Sequence, residues 1–194
     1  IRKKFYVIFC KSLLVCVFAV MVIGACSGVG VIRGIIASAP TIDDIVATPT
    51  GFLSTVLDAN GNQTATLVAS GSNRRAVTID EIPKNLQHAF VAIEDERFYE
   101  HNGIDVTGII RAGVKGVASG FHFSEGASTI TQQLLKNTVF TSWTSESSMA
   151  DKFERKFQEQ YLALQLEKVV DKDWILENYL NAINLGQNTL GVGV

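Results

Sequence analysis

An acidic segment, Glu94–Gly103 (EDERFYEHNG), contains the first side chains suited to acid–base chemistry. Glu94 directly follows a short apolar run that ends at Ile93, which predicts a carboxylate at the edge of a packed helix. A carboxylate in such a position loses solvation, and this suits it to act as a general base or acid. The competing interpretation is a solvated acidic helix end in which His101 is a structural hydrogen-bonding residue.

A second segment, Glu125–Asn137 (EGASTITQQLLKN), places small and hydroxyl residues at a predicted helix start. Backbone N–H groups at a helix N-terminus suit an anion such as phosphate. Three polar residues, spaced by three and four positions, share one face of this helix: Gln133, Lys136 and Asn137. The alternative is an N-cap by Ser128 or Thr129 before an ordinary amphipathic helix.

Two further segments are polar at helical spacing. Arg155 and Lys156 lie four and three residues before Glu159, so both cations can flank that carboxylate. A surface salt-bridge network explains this pattern as well as a binding site does. Lys172–Asn181 (KDWILENYLN) by itself indicates a helix start followed by a packing face.

Helices must position these residues, because apolar periodicity is helical from Asp80 onward. The predicted helices run from Pro83 to Ile93, Val106 to Val117, Ser128 to Val139, Met149 to Val169, and onward from Asp173. In the fourth helix, spacings of four, four and three place Phe153, Phe157, Tyr161 and Leu164 on one face. Before the helices, the sequence predicts a β-hairpin. Its two short strands are Phe52–Leu57 and Thr64–Ala69, and its turn contains Asn60-Gly61.

Charge and hydropathy divide the chain into two unlike parts. The 194 residues are 47% hydrophobic and 19% charged, which excludes disorder, collagen-like repeats and a disulfide scaffold. Residues 1–37 carry five basic and no acidic residues, which leaves twelve basic and nineteen acidic residues for the body. All three cysteines precede residue 38, so the body has no thiol for a disulfide, a zinc site or a nucleophile.

The N-terminal part has the composition of a membrane anchor. Ser12–Ile32 holds 21 consecutive uncharged residues, and about 20 such residues span a bilayer as a helix. The preceding basic residues favour a cytoplasmic N-terminus, so we expect a single-pass cell-membrane protein whose body lies on the extracytoplasmic side. Two alternatives to a permanent anchor are signal-peptidase cleavage after Ala37-Ser38-Ala39 and lipidation of Cys26 as in a bacterial lipoprotein. The apolar sequence continues to Ile36, which favours an uncleaved signal anchor.

Taken in order, the four polar segments resemble the signatures of glycosyltransferase family 51. This family comprises the peptidoglycan glycosyltransferase domain of class A penicillin-binding proteins and the monofunctional transglycosylases. The matching patterns are E-D-x-x-F-x-x-H-x-G from Glu94, G-A-S-T-I-T-Q-Q-x-x-K-N from Gly126, R-K-x-x-E from Arg155 and K-x-x-I-L-x-x-Y-L-N from Lys172.

The resemblance implies a mainly α, lysozyme-like glycosyltransferase lobe with a small β element near the membrane and an N-terminal transmembrane helix. The family polymerises lipid II and releases undecaprenyl diphosphate. Carried over by motif, Glu94 is the general base, and Glu159 is a second acid on the donor side. The resemblance also implies a set of substrate-binding residues: Asp95, Phe98, His101, Ser128, Thr129, Gln132, Gln133, Lys136, Asn137, Arg155 and Lys156. Among these, Lys136, Arg155 and Lys156 are the cations expected to bind the diphosphate.

The resemblance also leads to expectations about cofactors, partners and domain limits. No cofactor is required by the sequence, although Glu159 suits the orientation of a divalent cation (Mg²⁺ or Mn²⁺) at the diphosphate. The expected partners are lipid II, the growing glycan strand, the membrane and a cell-wall synthesis complex, and no nucleic acid. The expected divisions are a stub and anchor (1–37), a connector with the hairpin (38–79) and a glycosyltransferase domain (80–194).

Some positions depart from the family pattern. Ala127 replaces a second glycine, and Ser124-Glu125 lacks a basic residue often present there. Residues 184–194 resemble the start of a fifth motif, so the domain is expected to be C-terminally incomplete. Two other functions stay open: a lysozyme-like lytic enzyme, and an inactive anchored scaffold that binds glycan or lipid II.

Overall fold

The computed structural model describes residues 2–42, 47–68, 74–120, 126–186 and 189–193. Three sequence features therefore lie wholly or partly outside the described residues: Ser124-Glu125, the end of the predicted second strand at Ala69, and parts of the fifth-motif segment. The chain divides into two compact units, Ile1–Ala39 and Pro40–Val194.

The first unit is one long helix, α1 (Arg2–Ala37). Its stretch Phe9–Ala37 has a mean hydropathy of 2.5 and no buried residues, so it is long and apolar enough to cross a membrane. Branched and aromatic side chains face outward along it, which suits a lipid environment. The predicted N-terminal apolar helix is confirmed, and α1 is a candidate membrane anchor.

The second unit begins with the predicted hairpin. Strands β1 (Ser54–Leu57) and β2 (Gln63–Leu67) pair antiparallel, with Thr55 opposite Thr66. The turn is built by Asp58, whose carboxylate accepts hydrogen bonds from the backbone N–H groups of Asn60 and Asn62, both at 2.8 Å. Gly61 follows with a φ of +84°, which glycine adopts without strain. The Asn-Gly signal thus located the turn correctly.

Five α-helices provide most of the regular structure in the rest of the described second unit, so the chain is mainly α as predicted. They are α2 (Lys84–Glu94), α3 (Val106–Ala118), α4 (Ile130–Thr138), α5 (Met149–Leu166) and α6 (Lys172–Ala182). A short 3-10 helix, Thr141–Ser145, lies between α4 and α5 and was not predicted. Side-chain caps fix four of the starts: Asp105, Thr129, Ser148 and Asp171 each accept a backbone N–H of the following helix.

Helix α4 lies at the centre of the unit and packs against both α5 and α6. Its Ile130, Leu134 and Leu135 are fully buried, as are Ile175 and Leu180 of α6. The predicted apolar stripe of α4 therefore faces the core. Because α4 also carries the second polar segment, a helix anchored in the core holds that segment in place.

The apolar stripe of α5 faces the core only in part: Tyr161 is half-buried and packs against it, whereas its two ends are exposed. Phe153 is 56% exposed and Leu164 is 40% exposed, and the Phe153 and Phe157 rings contact each other with centroids 4.6 Å apart. The buried face of α5 is instead partly polar, and it carries Gln158, Glu159, Leu162, Ala163 and Leu166. A polar side chain on the inner face of a helix indicates that it has a partner there.

Candidate active site

Glu94 is the last residue of α2, and it faces α4. Its carboxylate accepts a hydrogen bond of 2.8 Å from the Gln133 side-chain amide. Glu94 itself is exposed, and its neighbour Ile93 is 81% exposed, so the expected desolvation of this carboxylate is wrong. It lines a cavity of about 110 Å³ together with Arg97, Arg111 and residues 126–129. Glu94 is thus held in place and open to a ligand.

A buried tyrosine lies behind this pair. The Tyr179 hydroxyl of α6 is 3.4 Å from the Gln133 side-chain carbonyl oxygen and points its donor toward it. Burial, with a smaller contribution from the negative charge of Glu94, raises the pKa of Tyr179 well above its ordinary value of 10.0. The hydroxyl therefore stays protonated, and it braces the amide that holds Glu94.

Asp95 connects the first polar segment to the second. Its buried carboxylate contacts the His101 Nε2 atom at 2.9 Å and accepts the backbone N–H of Ile130 at 3.0 Å. Ile130 is the first residue of α4, where a negative charge is favoured by the helix dipole. Asp95 thus fixes the start of α4 relative to the end of α2.

Phe98 and His101 lie in the interior behind Asp95. Phe98 is fully buried, its ring packs edge-on against His101, and the Lys172 ammonium lies 4.4 Å from its centroid. Lys172 also donates to the His101 carbonyl at 2.8 Å and to the buried Glu167 carboxylate at 2.6 Å. These contacts are with protein groups, and they attach the first segment to the start of α6.

Thr129 and Gln132 tie the start of α4 to Gly103. The Thr129 hydroxyl donates to the Gly103 carbonyl at 2.8 Å, and the Gln132 amide donates to the same oxygen at 3.3 Å. Thr129 is the N-cap, as the alternative interpretation held. The N–H groups of Ile130 and Gln132 are buried and occupied, so the expectation of exposed helix N–H groups for an anion is wrong at these residues.

Glu159 is the centre of a charged network on α5. Its side chain is 1% exposed, and its two oxygens bind Arg155 and Lys156, the latter at 3.2 Å. Arg155 also donates through Nε to Glu146 at 2.7 Å. Burial acts to lower the pKa of Arg155, but the hydrogen bonds from Glu146 and Glu159 outweigh it and raise the pKa. Both predicted contacts with Glu159 are present in the structure.

Lys156 extends this network back to the second segment. Its ammonium donates to the Ser128 hydroxyl at 2.6 Å and to the Gln132 side-chain carbonyl at 3.2 Å. Ser128 lines the cavity beside Glu94, whereas Arg155 lines a second cavity of about 360 Å³ with Phe140, Ser142 and Glu146. Lys156 is thus the direct link between the lining of the Glu94 cavity and Glu159.

Lys136 is in a different environment from the other two cations. It lies in the last turn of α4, and its ammonium is 4.4 Å from the ring centroid of Trp143 in the 3-10 helix. Among the described residues no carboxylate or hydrogen-bond acceptor binds it. Asn137 is half-buried beside it in sequence. The three N–H donors of Lys136 are therefore available to an anion.

A divalent cation does not fit the donors around Glu159. Both of its oxygens already bind cationic side chains, and a metal ion there would face Arg155 and Lys156 at close range. Within the described ranges, no group of three or more His, Cys, Asp or Glu side chains has the arrangement of a metal site.

The transglycosylase family model matches residues 60–194, and the chain belongs to the transglycosylase family. The resemblance indicated by the four motifs is thereby confirmed. The chain is similar to penicillin-binding protein 1A of Clostridium novyi (strain NT), at 45% identity over 172 residues, 86% of this chain and 19% of that protein.

Two other relatives cover almost the whole chain. Penicillin-binding protein 1A of Clostridium perfringens (strain 13 / Type A) is 43% identical over 187 residues, 95% of this chain and 26% of that protein. Penicillin-binding protein 1A/1B of Bacillus subtilis (strain 168) is 39% identical over 184 residues, 94% of this chain and 19% of that protein. The chain therefore spans between 19% and 26% of the length of these relatives.

Four residues that complete these networks were not identified as site residues from the sequence. They are Trp143, Glu146, Glu167 and Tyr179. Tyr179 was assigned to a packing face, and its polar end had no visible partner in the sequence. Glu146 and Trp143 lie in a polar connection without periodicity, where spacing gives no signal.

Proposed function

We propose that this chain is a peptidoglycan glycosyltransferase that polymerises lipid II into β-1,4 glycan strands. The observation that carries the proposal is the juxtaposition on one helix, α4, of Gln133, which holds Glu94, and Lys136, which binds no hydrogen-bond acceptor within the described part of the chain. Gln133 and Lys136 lie one helical turn apart on α4. A carboxylate base held by the first residue and a cation supplied by the second suit a transfer from a diphosphate leaving group to a hydroxyl. Family membership supports the same assignment.

In the proposed reaction, the 4-hydroxyl oxygen of the acceptor sugar attacks the anomeric carbon of the lipid-linked growing strand. Glu94 takes the hydroxyl proton as the new C–O bond forms. The bond between the anomeric carbon and the diphosphate oxygen breaks, with inversion from α to β, and undecaprenyl diphosphate leaves. Lys136, Arg155 and Lys156 stabilise the negative charge that develops on the leaving group.

The other predicted site residues take supporting roles in this proposal. Gln133 orients Glu94, Asn137 provides a hydrogen bond near Lys136, and Ser128 and Gln132 hold Lys156. Asp95 and Thr129 act through the start of α4, because Asp95 accepts the Ile130 N–H and the Thr129 side chain caps the helix. His101 contacts the Asp95 carboxylate, and Phe98 packs against the His101 ring. Glu159 orients Arg155 and Lys156.

We also propose that α1 anchors the enzyme in the cell membrane with its catalytic body on the extracytoplasmic side, within a cell-wall synthesis complex. Substrate and product both carry lipid tails, so an anchored enzyme meets them at the membrane surface. The 29-residue apolar stretch of α1 supports the anchor.

Incubation of the chain with purified lipid II tests the proposal. Formation of long glycan strands, seen as a ladder on a gel, is the expected result. Shortening of preformed glycan would instead identify a lytic enzyme, and binding of lipid II without turnover would identify a scaffold. Either of these two results contradicts the proposed polymerase.

A further inference from the structure

The cations proposed for the diphosphate are not equally neutralised. Arg155 and Lys156 share two carboxylates, Glu146 and Glu159, so their formal charges are balanced within the protein. Lys136 has no carboxylate partner among the described residues. The uncompensated positive charge of this group therefore resides on Lys136, which makes its position decisive for binding a diphosphate.

Trp143 is the side chain that contacts Lys136. The ammonium lies 4.4 Å from the ring centroid, within the range of a cation–π interaction. An aromatic face attracts a cation but accepts no strong hydrogen bond, so it holds the lysine without consuming its three donors. A carboxylate in the same place would neutralise the charge and occupy a donor.

The segment that carries Trp143 also holds a second cation. The 3-10 helix Thr141–Ser145 ends at Glu146, which binds Arg155 through Nε. One short connection between α4 and α5 thus contacts a cation on each of these helices. Trp143 itself is 36% exposed and contributes little to the core, so its contact with Lys136 is not explained by packing alone.

We propose that Trp143 is a positioning residue for Lys136: its ring holds the ammonium in place, with its hydrogen-bond donors free, before the diphosphate of the substrate binds. This inference rests on the proposed glycosyltransferase function, because that function gives Lys136 its ligand. Trp143 itself needs no contact with the substrate.

The test measures binding of inorganic pyrophosphate to the full chain in detergent by isothermal titration calorimetry at constant salt. Trp143→Leu is expected to weaken binding about threefold to tenfold, the range of a partly exposed cation–π contact. Trp143→Phe, which retains an aromatic face, is expected to keep most of the affinity. Thr144→Ala, an exposed neighbour in the same 3-10 helix, is the matched control and is expected to bind as the unmodified chain does.

A double-mutant cycle separates positioning from a general effect on the fold. In a Lys136→Met background, Trp143→Leu is expected to cause no further loss of affinity. An equal loss in both backgrounds would overturn the inference, as would unchanged binding by Trp143→Leu while Lys136→Met binds weakly. Unchanged binding by Lys136→Met would instead contradict the diphosphate role of Lys136 in the proposed function, and the inference would fall with it.

Discussion

Glu94 is held by a neutral amide rather than by a cation. The Gln133 side-chain amide donates to the Glu94 carboxylate at 2.8 Å and orients it. The protonated Tyr179 hydroxyl braces that amide from the core. At the scale of single residues, neutral groups thus orient the Glu94 carboxylate, while the positive charges proposed to bind the diphosphate come from cations on α4 and α5.

The pair of Arg97 and Asp105 predicts a pH-dependent stability. The Arg97 guanidinium holds the pKa of the Asp105 carboxyl below its ordinary value of 3.8, so the pair contributes stability above about pH 4 that is lost as the pH falls through the lowered pKa. Asp105→Asn keeps the cap on the Gly108 N–H but removes the ion pair. We expect the variant to melt at a lower temperature than the unmodified chain at pH 7.

Differential scanning calorimetry at pH 7 and pH 3 checks this prediction. The difference in Tm between the two proteins should narrow at pH 3, because Asp105 is then becoming protonated in the unmodified chain. A difference of the same size at both pH values would show that the ion pair does not contribute to stability.

At the scale of elements, one glycine sets the distance between the first segment and α5. Gly103 has a φ of +88°, and a Cβ atom there would lie 2.6 Å from the Ala163 carbonyl oxygen. Its own carbonyl accepts hydrogen bonds from Thr129 and Gln132 at the start of α4. A side chain at this position would therefore disturb both α4 and α5.

Gly103→Ala is expected to lower the free energy of unfolding by at least about 2 kcal/mol, from a left-handed backbone and a steric overlap together. Gly120→Ala is the matched control, because Gly120 has a φ of +75° but open space around its Cβ position. It should cost only about 1 kcal/mol, the backbone contribution alone. Urea denaturation of both variants measures the difference, and equal losses would contradict the steric argument.

The element scale also shows what the sequence can predict. The starts of α3 and α4 follow from local signals, since Asp105 and Thr129 cap helices whose apolar periodicity is visible in the sequence. The buried face of α5 could not be predicted from the sequence. Hydrophobic periodicity detects only apolar residues, whereas this helix buries the carboxylate of Glu159 against two cations. The contacts of Glu159 with Arg155 and Lys156 follow from their spacing along the helix, but the burial of Glu159 depends on how α5 packs against α4.

The candidate site shows the same division. The motifs marked Glu94, Lys136 and the charged residues of α5 (Arg155, Lys156 and Glu159) as candidate site residues. The structure brings Glu94 together with Gln133, although 39 residues separate them in the sequence. The motifs did not predict Trp143, because a cation–π contact depends on the geometry of a connection without periodicity. The contact of Trp143 with Lys136 is therefore visible only in the structure, whereas the catalytic and binding roles of Glu94 and Lys136 stay predictions.

At the scale of the whole molecule, charge and hydropathy are strongly segregated. The apolar excess of the sequence lies largely in α1, whereas the acidic body contains a local group of cations that the proposed reaction uses. Net charge alone would not suggest the proposed diphosphate site. Family membership from residue 60 onward and the separate apolar helix together support an anchored enzyme.

The anchor can be tested by changing two residues in the middle of α1. The unmodified chain is expected to float with liposomes in a density gradient. A Phe18→Arg/Val22→Arg variant should shift to the lipid-free fractions, since each arginine costs about 2.5–3.5 kcal/mol at the centre of a membrane helix. A Phe18→Leu/Val22→Leu variant is the control, and equal flotation of the arginine variant would contradict the anchor.

The most direct test of the proposed function is the initial rate of lipid II polymerisation by Glu94→Gln, with Glu100→Gln as the control. Both carboxylates are exposed and close in sequence, but only Glu94 is assigned to the reaction. Loss of a general base predicts a decrease of about 10²- to 10⁴-fold for Glu94→Gln, with unchanged Tm and near-normal rates for Glu100→Gln. Polymerisation at the unmodified rate by folded Glu94→Gln would contradict the account.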